Sequence, residues 1–371
     1  MKEIALSICV AVYNIKQEFL KECIESLISD KSEDIEIILG DDCSNNGCDE
    51  ILKYYESKDE RIKYIRPEKN GGVSVLRNLM IQNAKGRVIT FVDGDDVVSE
   101  SYVSYMRTAS KSDYDIVMFG IKQFYLNLPE TKRSGAAIRG LPEEASKRFS
   151  IACLTGKPPH IEEYQMKDTT PSSVCIKAYK TDFIRENNLY FKEGVKKSQD
   201  TVFNTSAFYK CKKLGYIDEV LYFYRTNPSS VCNRYSAGFE KMMQACFNCD
   251  KENLEKLYNN APEVKSAFYK YKTILIIIDN FRLNIFHKDN PNSKKQRKAE
   301  FLRFLESEPY KEFFESCDFT AYEWRERKLI LTLARKKRFG LLDFMYKNPI
   351  TFKIYGGLAN RLSKIKGRIT K

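Results

Sequence analysis

The first hundred residues alternate between two periodicities, and this alternation restricts the fold more than any other feature of the chain. Residues 4–12 form an apolar, β-branched run, after which Phe19, Leu20, Cys23, Ile24, Leu27 and Ile28 recur at helical spacing. A second apolar run, 35–39, ends at Gly40-Asp41-Asp42. Ile51, Leu52, Tyr54 and Tyr55 then mark a second helix, and 62–65 a third strand. Leu76, Leu79, Met80 and Ala84 mark a third helix, and the strand 88–92 runs into Asp93-Gly94-Asp95-Asp96. Apolar strands separated by helices of this length predict a mainly parallel sheet covered on both faces. Ligands of such sheets bind beyond the carboxyl ends of the strands, and the polar residues cluster there.

From 101 to 235 the pattern is less regular. Residues 116–119 and 220–224 read as strands, 181–188 and 201–212 as helices, and 127–159, punctuated by Gly and Pro, as a loop. Beyond Ser236 the chain reads as helical and charged. The resulting division is 1–100, 101–235 and 236–371. The chain carries 62 Lys+Arg against 50 Asp+Glu, a formal charge of +12, and the excess is local. Residues 260–371 hold 25 basic and 12 acidic side chains, and 335–371 hold 11 basic ones against the single acid Asp343. A basic tail on a near-neutral body predicts an anionic surface as partner. The start of the chain reads as a strand and not a signal peptide. The most apolar internal run, 274–278, is bounded by Lys272 and Asp279, well short of the roughly 20 residues of a bilayer span. Eleven cysteines without a secretory signal fit a reducing cytoplasm. Cys246 and Cys249 form a lone C-x-x-C lacking the second half of a zinc site.

Three carboxylates within four residues at a strand end repel one another. A hard divalent cation, Mg²⁺ or Mn²⁺, shared with substrate phosphates gives the 93–96 cluster a purpose; a solvated acidic turn with an Asp cap is the plainer reading. In 41–46 a carboxylate either accepts from an imide N–H such as that of uracil or caps a helix. Asn70-Gly71-Gly72 precedes a helix containing Arg77 and Asn78, where glycines admit a phosphate and the arginine adds charge. Neither a G-x-x-x-x-G-K-[ST] loop nor a G-x-G-x-x-G fingerprint occurs. Asp200, in Gln199-Asp200-Thr201-Val202-Phe203-Asn204, sits at the mouth of a helix, as a cap or as a functional acid. Tyr222, Tyr224 and Arg225, followed by Ser229-Ser230, form an aromatic-basic strand end.

Taken in order, 7–14 (SICVAVYN), 41–44 (DDCS), 70–72 with 77–78, 91–96 (FVDGDD), 199–204 (QDTVFN) and 221–225 (LYFYR) resemble the motifs of glycosyltransferase family 2. The resemblance spans about residues 4–232, and its specificity lies in six short motifs falling in one order at compatible spacings. It implies an α/β GT-A nucleotide-diphospho-sugar transferase fold, Rossmann-like with a mixed, mainly parallel sheet, and inversion at the anomeric centre. Ala11, Val12 and Tyr13 would line the nucleoside pocket, and Asp42 would bind uracil. Gly72, Arg77 and Asn78 would support the nucleotide site and the acidic loop. Asp93, Gly94 and Asp95 would be the D-x-D, with Asp93 and Asp95 on Mn²⁺ or Mg²⁺. Asp200 would be the general base, and Gln199, Tyr224 and Arg225 would belong to the acceptor or diphosphate side. Three positions depart from the pattern: Ala11 stands for proline, Cys43 for glycine and Gln199 for glutamate.

The function implied is transfer of a hexose or N-acetylhexosamine from a UDP-sugar to a glycan or lipid-linked acceptor, in cytoplasmic steps of cell-surface polysaccharide synthesis. Two alternatives stand beside it: a nucleic-acid-binding protein with a basic tail, and an inactive glycosyltransferase-like module, for which Gln199 is the hint. The first leaves the acidic cluster unexplained, so no nucleic-acid partner is expected. In the tail, Ile350, Ile354, Leu358, Leu362, Ile365 and Ile369 interleave with Lys353, Arg361, Lys364, Lys366 and Arg368. This pattern reads either as a peripheral helix on the anionic inner leaflet or as a terminal helix packed on the body.

Overall fold

The computed structural model describes residues 3–129, 135–226, 233–318 and 325–348. The tail pattern from Ile350 onward and Ser229-Ser230 lie outside the described residues. The chain divides into two compact units, one of residues 1–227 with 244–265 and one of 228–243 with 266–371.

Among the described residues the first unit is built on a nine-stranded sheet: β1 (Leu6–Val12), β2 (Ile35–Asp41), β3 (Ile62–Ile65), β4 (Val88–Asp93), β5 (Val97–Val98), β6 (Ile116–Phe124), β7 (Arg139–Gly140), β8 (Lys177–Lys180) and β9 (Leu214–Arg225). The order is β3-β2-β1-β4-β8-β6-β9-β5, with β7 on β9. β3, β2, β1 and β4 pair in parallel, as do β6 and β9, while β8, β5 and β7 run antiparallel to their neighbours. β1 lies at the centre, Leu6 facing Ile35 on one side and Val88 on the other, and Leu6 to Val10 are buried throughout. Strands covered on both faces have no solvent side, which is why they read as continuous apolar runs.

Helix α1 (Gln17–Ile28) buries Leu20, Cys23, Ile24 and Leu27 at the predicted spacing. It is followed by α2 (Cys48–Glu56), α3 (Val73–Asn83) and α4 (Tyr102–Ser110). The stretch 127–159 differs from the sequence reading. It contains a 13-residue helix, α5 (Glu143–Thr155), bounded by Pro142 and by Gly156 in the left-handed conformation at φ 75°. Those two residues are helix boundaries in place, not marks of a loop. Phe149 of α5 meets Phe208 of α7 (Gln199–Lys210) edge-on at 5.6 Å, with α6 (Thr181–Glu186) between them in sequence. β9 is also longer than its predicted 220–224. Its register with β6 shifts around Gly120, where a Cβ would lie 2.8 Å from the Glu219 carbonyl oxygen.

The second unit is helical among its described residues, as the sequence predicts. Phe281, Phe286, Phe301 and Phe339 pack ring on ring, and the buried Arg297 donates to Asp343 at 2.5 Å. Among the described residues no helix is long and apolar enough to cross a membrane.

Candidate functional site

At the carboxyl ends of β1 and β2 the chain turns sharply. The Val12 carbonyl accepts from the Asp42 N–H and the Ala11 carbonyl from the Gly94 N–H, both at 2.9 Å, so the end of β1 ties two loops together. Tyr13, the next residue, is 53% exposed and presents its ring to solvent. Asp42 is buried, and its carboxylate accepts from the N–H groups of Gly71 at 2.9 Å and Gly72 at 2.8 Å. The Asn70 amide donates to the Asp42 carbonyl at 2.7 Å. The Gly-Gly amides are thus occupied by an aspartate of the same chain. Gly72 has φ 82° and ψ 164°, a region essentially restricted to glycine. Cys43, standing where the family pattern has glycine, takes a left-handed conformation at φ 63°. Asp41 is fully buried; it accepts from the Ser44 N–H at 2.9 Å and is ion-paired with Arg66. Arg66, absent from the sequence-based set, also donates to the Ser44 carbonyl and so fixes this corner.

The acidic loop after β4 separates its three carboxylates. Asp96 is buried; Tyr222 donates its hydroxyl to Oδ2 at 2.6 Å and the Arg225 N–H to Oδ1 at 2.7 Å. Burial, with Asp93 and Asp95 nearby, drives its pKa well above the carboxylate range. Tyr222 also accepts from the Asp93 N–H at 3.1 Å. Arg225 is buried beneath the loop, between Phe19 and Phe124, and donates Nε–H to the Asp95 carbonyl at 2.9 Å while pairing with Glu22. Arg225 therefore shapes the loop from below. Tyr224 is half-buried beside it on β9, and Gln199 is half-buried at the start of α7. The carboxylate of Asp95 receives no hydrogen bond or ion pair from another described residue. Burial and the neighbouring Asp93 raise its pKa to about 6. Two hard oxygen donors, one of them unpaired and destabilised by its neighbour, suit a divalent cation that takes its other ligands from phosphates and water. Among the described residues no cluster of three or more metal-binding side chains occurs.

Arg77 connects this loop to the other side of the site. Its side chain is 3% exposed and lies against the faces of Phe91 and Phe191. Nη2 donates to Asp93 Oδ1 at 2.9 Å and Nη1 to Asp200 Oδ1 at 2.6 Å. Burial works against its charge, but Asp200 and Asp93 outweigh it and hold its pKa above the usual guanidinium value. Asp200 takes a further hydrogen bond at Oδ2, from the Val174 N–H at 3.1 Å. It lies in the first turn of α7, and no side chain caps that helix. Asn78 pairs with Phe191 twice, donating to its carbonyl at 2.9 Å and accepting from its N–H at 2.8 Å. Asn78 fixes the ring against which Arg77 lies. The fold brings Asp93, Arg77 and Asp200 together across 123 residues of sequence, with Asp95 on the same loop as Asp93.

A mainly parallel sheet with this acidic loop at its carboxyl ends defines the GT-A class of nucleotide-diphospho-sugar transferase folds. The crystal structure of Staphylococcus aureus TarS, residues 1–349, shares that fold: TM-score 0.57 at 18% identity, covering 93% of this chain and 92% of that one. Residues 7–179 match the model of Glycosyl transferase family 2. An uncharacterized glycosyltransferase of Bacillus subtilis, EpsJ, is 29% identical over 363 residues, 94% of this chain and 97% of its own length. A poly(ribitol-phosphate) beta-glucosyltransferase of Bacillus spizizenii is 29% identical over 228 residues, 59% of this chain but 32% of its own. The domain match over 7–179 and the relative that spans nearly the whole chain support a family 2 glycosyltransferase.

Proposed function

We propose that this chain is an inverting, metal-assisted transferase. It moves a hexose or N-acetylhexosamine from a UDP-sugar to a hydroxyl of a glycan or lipid-linked acceptor in cell-surface polysaccharide synthesis. The observation that carries this reading is the Asp93–Arg77–Asp200 bridge, which sets a second acid beside the D-x-D loop at a fixed distance. The TarS structure in complex with UDP-GlcNAc, at 17% identity and a TM-score of 0.53, and the polymer-glycosylating relative support the donor and acceptor classes. In this reading 1–100 form the nucleotide-sugar half and 101–235 the acceptor half; of the helical region 236–371, residues 244–265 pack with the first unit and the remainder belongs to the second.

Tyr13 stacks on the nucleoside, and Asp42, held by Gly71 and Gly72, retains lone pairs for the uracil imide. Asp93 and Asp95 would hold Mn²⁺ or Mg²⁺, which when bound supplies Lewis acidity at the diphosphate leaving group. Asp200 takes the proton of the acceptor hydroxyl, whose oxygen attacks the anomeric carbon from the face opposite UDP. Arg77 keeps Asp200 oriented while leaving its side chain 24% exposed toward the acceptor. The basic segment from residue 350 supports, by sequence alone, a peripheral position on the anionic inner leaflet.

Asp200→Asn tests the assignment. It should bind UDP as the wild type does and lose transfer by roughly 10²–10⁴. Turnover near the wild-type rate would remove Asp200 as the base.

A further inference from the structure

One lysine of the first unit is out of keeping with its surroundings. Lys177 opens β8 in the apolar run 174–179 and is completely buried. Its ammonium donates to the carbonyls of Thr170, at 3.1 Å, and Ser173, and lies 5.5 Å from the centre of the Phe208 ring. It forms no ion pair with a described residue. An unpaired buried ammonium costs several kcal/mol where a methionine would fill the same space. Burial brings its pKa down to about 8; the ionisable groups facing it are Cys153 of α5, Asp200 of α7 and Cys175 just before its own strand.

What the lysine holds is unusual as well. The Cys153 thiol donates to the Pro171 carbonyl at 3.4 Å, and the Asn204 amide to the Ser172 carbonyl at 3.0 Å. Asn204 is itself fixed by the Tyr179 hydroxyl at 2.6 Å. Four successive carbonyls, 170 to 173, are therefore received by buried side chains, two of them by Lys177. The next N–H, that of Val174, is the one that donates to Asp200. Ser172, at the tip of the turn, is exposed.

We propose that Lys177 is a positioning residue for the transfer reaction: it fixes the 170–173 turn, which in that shape orients Asp200 and walls the acceptor side of the site. The inference rests on the reading of Asp200 as the base.

Three measurements on the full chain test it. In the wild type, amide exchange of 169–176, corrected for intrinsic rates, should lose about tenfold of its protection as pH rises through about 8, while α3 and α4 stay protected. UDP release from UDP-glucose and UDP-N-acetylglucosamine with Mn²⁺ should fall over the same range. Lys177→Arg, which stays charged, should carry that fall to higher pH. Lys177→Met should lose turnover roughly 10²-fold, with UDP affinity by calorimetry unchanged within about twofold. Protection that holds to about pH 9.5, or Lys177→Met turnover equal to wild type, overturns the proposal. If Asp200→Asn turns over normally while the turn still loosens with pH, the base assignment fails and the role of Lys177 in catalysis fails with it. If Asp200→Asn is inactive and Lys177→Met is not, only the lysine proposal fails.

Discussion

Replacing Arg77 with methionine separates its structural and chemical effects. The guanidinium makes two charge-assisted hydrogen bonds, each worth about 1.5–3 kcal/mol when its partner stays buried. Asp93 is 42% exposed, so water replaces most of what it loses; Asp200, at 24%, recovers less. The methionine stem keeps part of the contact with Phe91 and Phe191. The net loss is about 3 kcal/mol, which for a unit of this size lowers Tm by roughly 6–12 °C. Catalysis should suffer more, because Asp200 would keep only its contact with Val174; a base displaced by about 1 Å costs roughly 10²-fold. Mn²⁺ binding should move in the opposite direction. A positive charge 2.9 Å from Asp93 competes with a cation, and removing it leaves that carboxylate free to bind metal. Differential scanning fluorimetry, a Mn²⁺ titration and UDP release together read these three signs. Arg77→Lys, a point charge unable to fork between two carboxylates, should fall between methionine and wild type. A methionine variant that melts within about 2 °C of wild type and turns over normally would refute the account of Arg77 as a bridge.

Asp95 supplies a pH-dependent test. With its pKa raised to about 6, the folded protein binds that proton more tightly than the unfolded chain does, so this group lowers stability as pH rises between about 4 and 6. A cation relieves that loss only when Asp95 is ionised. The part of the rise in Tm with UDP that requires Mn²⁺ should therefore be full above about pH 7 and fade as pH falls through about 6; Asp95→Asn should lose that Mn²⁺-dependent part at every pH. For the segment beyond Asn348, sedimentation with vesicles containing phosphatidylserine should capture the full chain at low salt and release it at high salt. A chain ending at Asn348 that sediments equally well would rule out a membrane role for the tail.

The first hundred residues were legible because their strands are covered on both faces, which leaves apolar runs, and because two of those runs, β2 and β4, end at Gly and Asp corners. Asp93 and Asp200 were readable singly. Their link through Arg77 was not, because no local pattern records a contact across 123 residues. Helix α5 was hidden by Pro142 and Gly156, which mark a helix's ends as readily as a loop. β8, at four residues, was too short to show a period, although a lysine inside an apolar run was a visible sign of something to be explained. Arg66 gave no such sign, since a basic residue after a strand is ordinary.

The reversed strand β8, inserted between the parallel strands β4 and β6, also bears on how such a protein diversifies. Because it enters from the end of the sheet at which its neighbours leave, the segment preceding it arrives beside the loops that follow β1 and β4. One edge of the cleft is thus made of strand exits fixed by the central sheet. The other is made of a strand entrance, which takes no part in the pairings of β1 with β2 and β4.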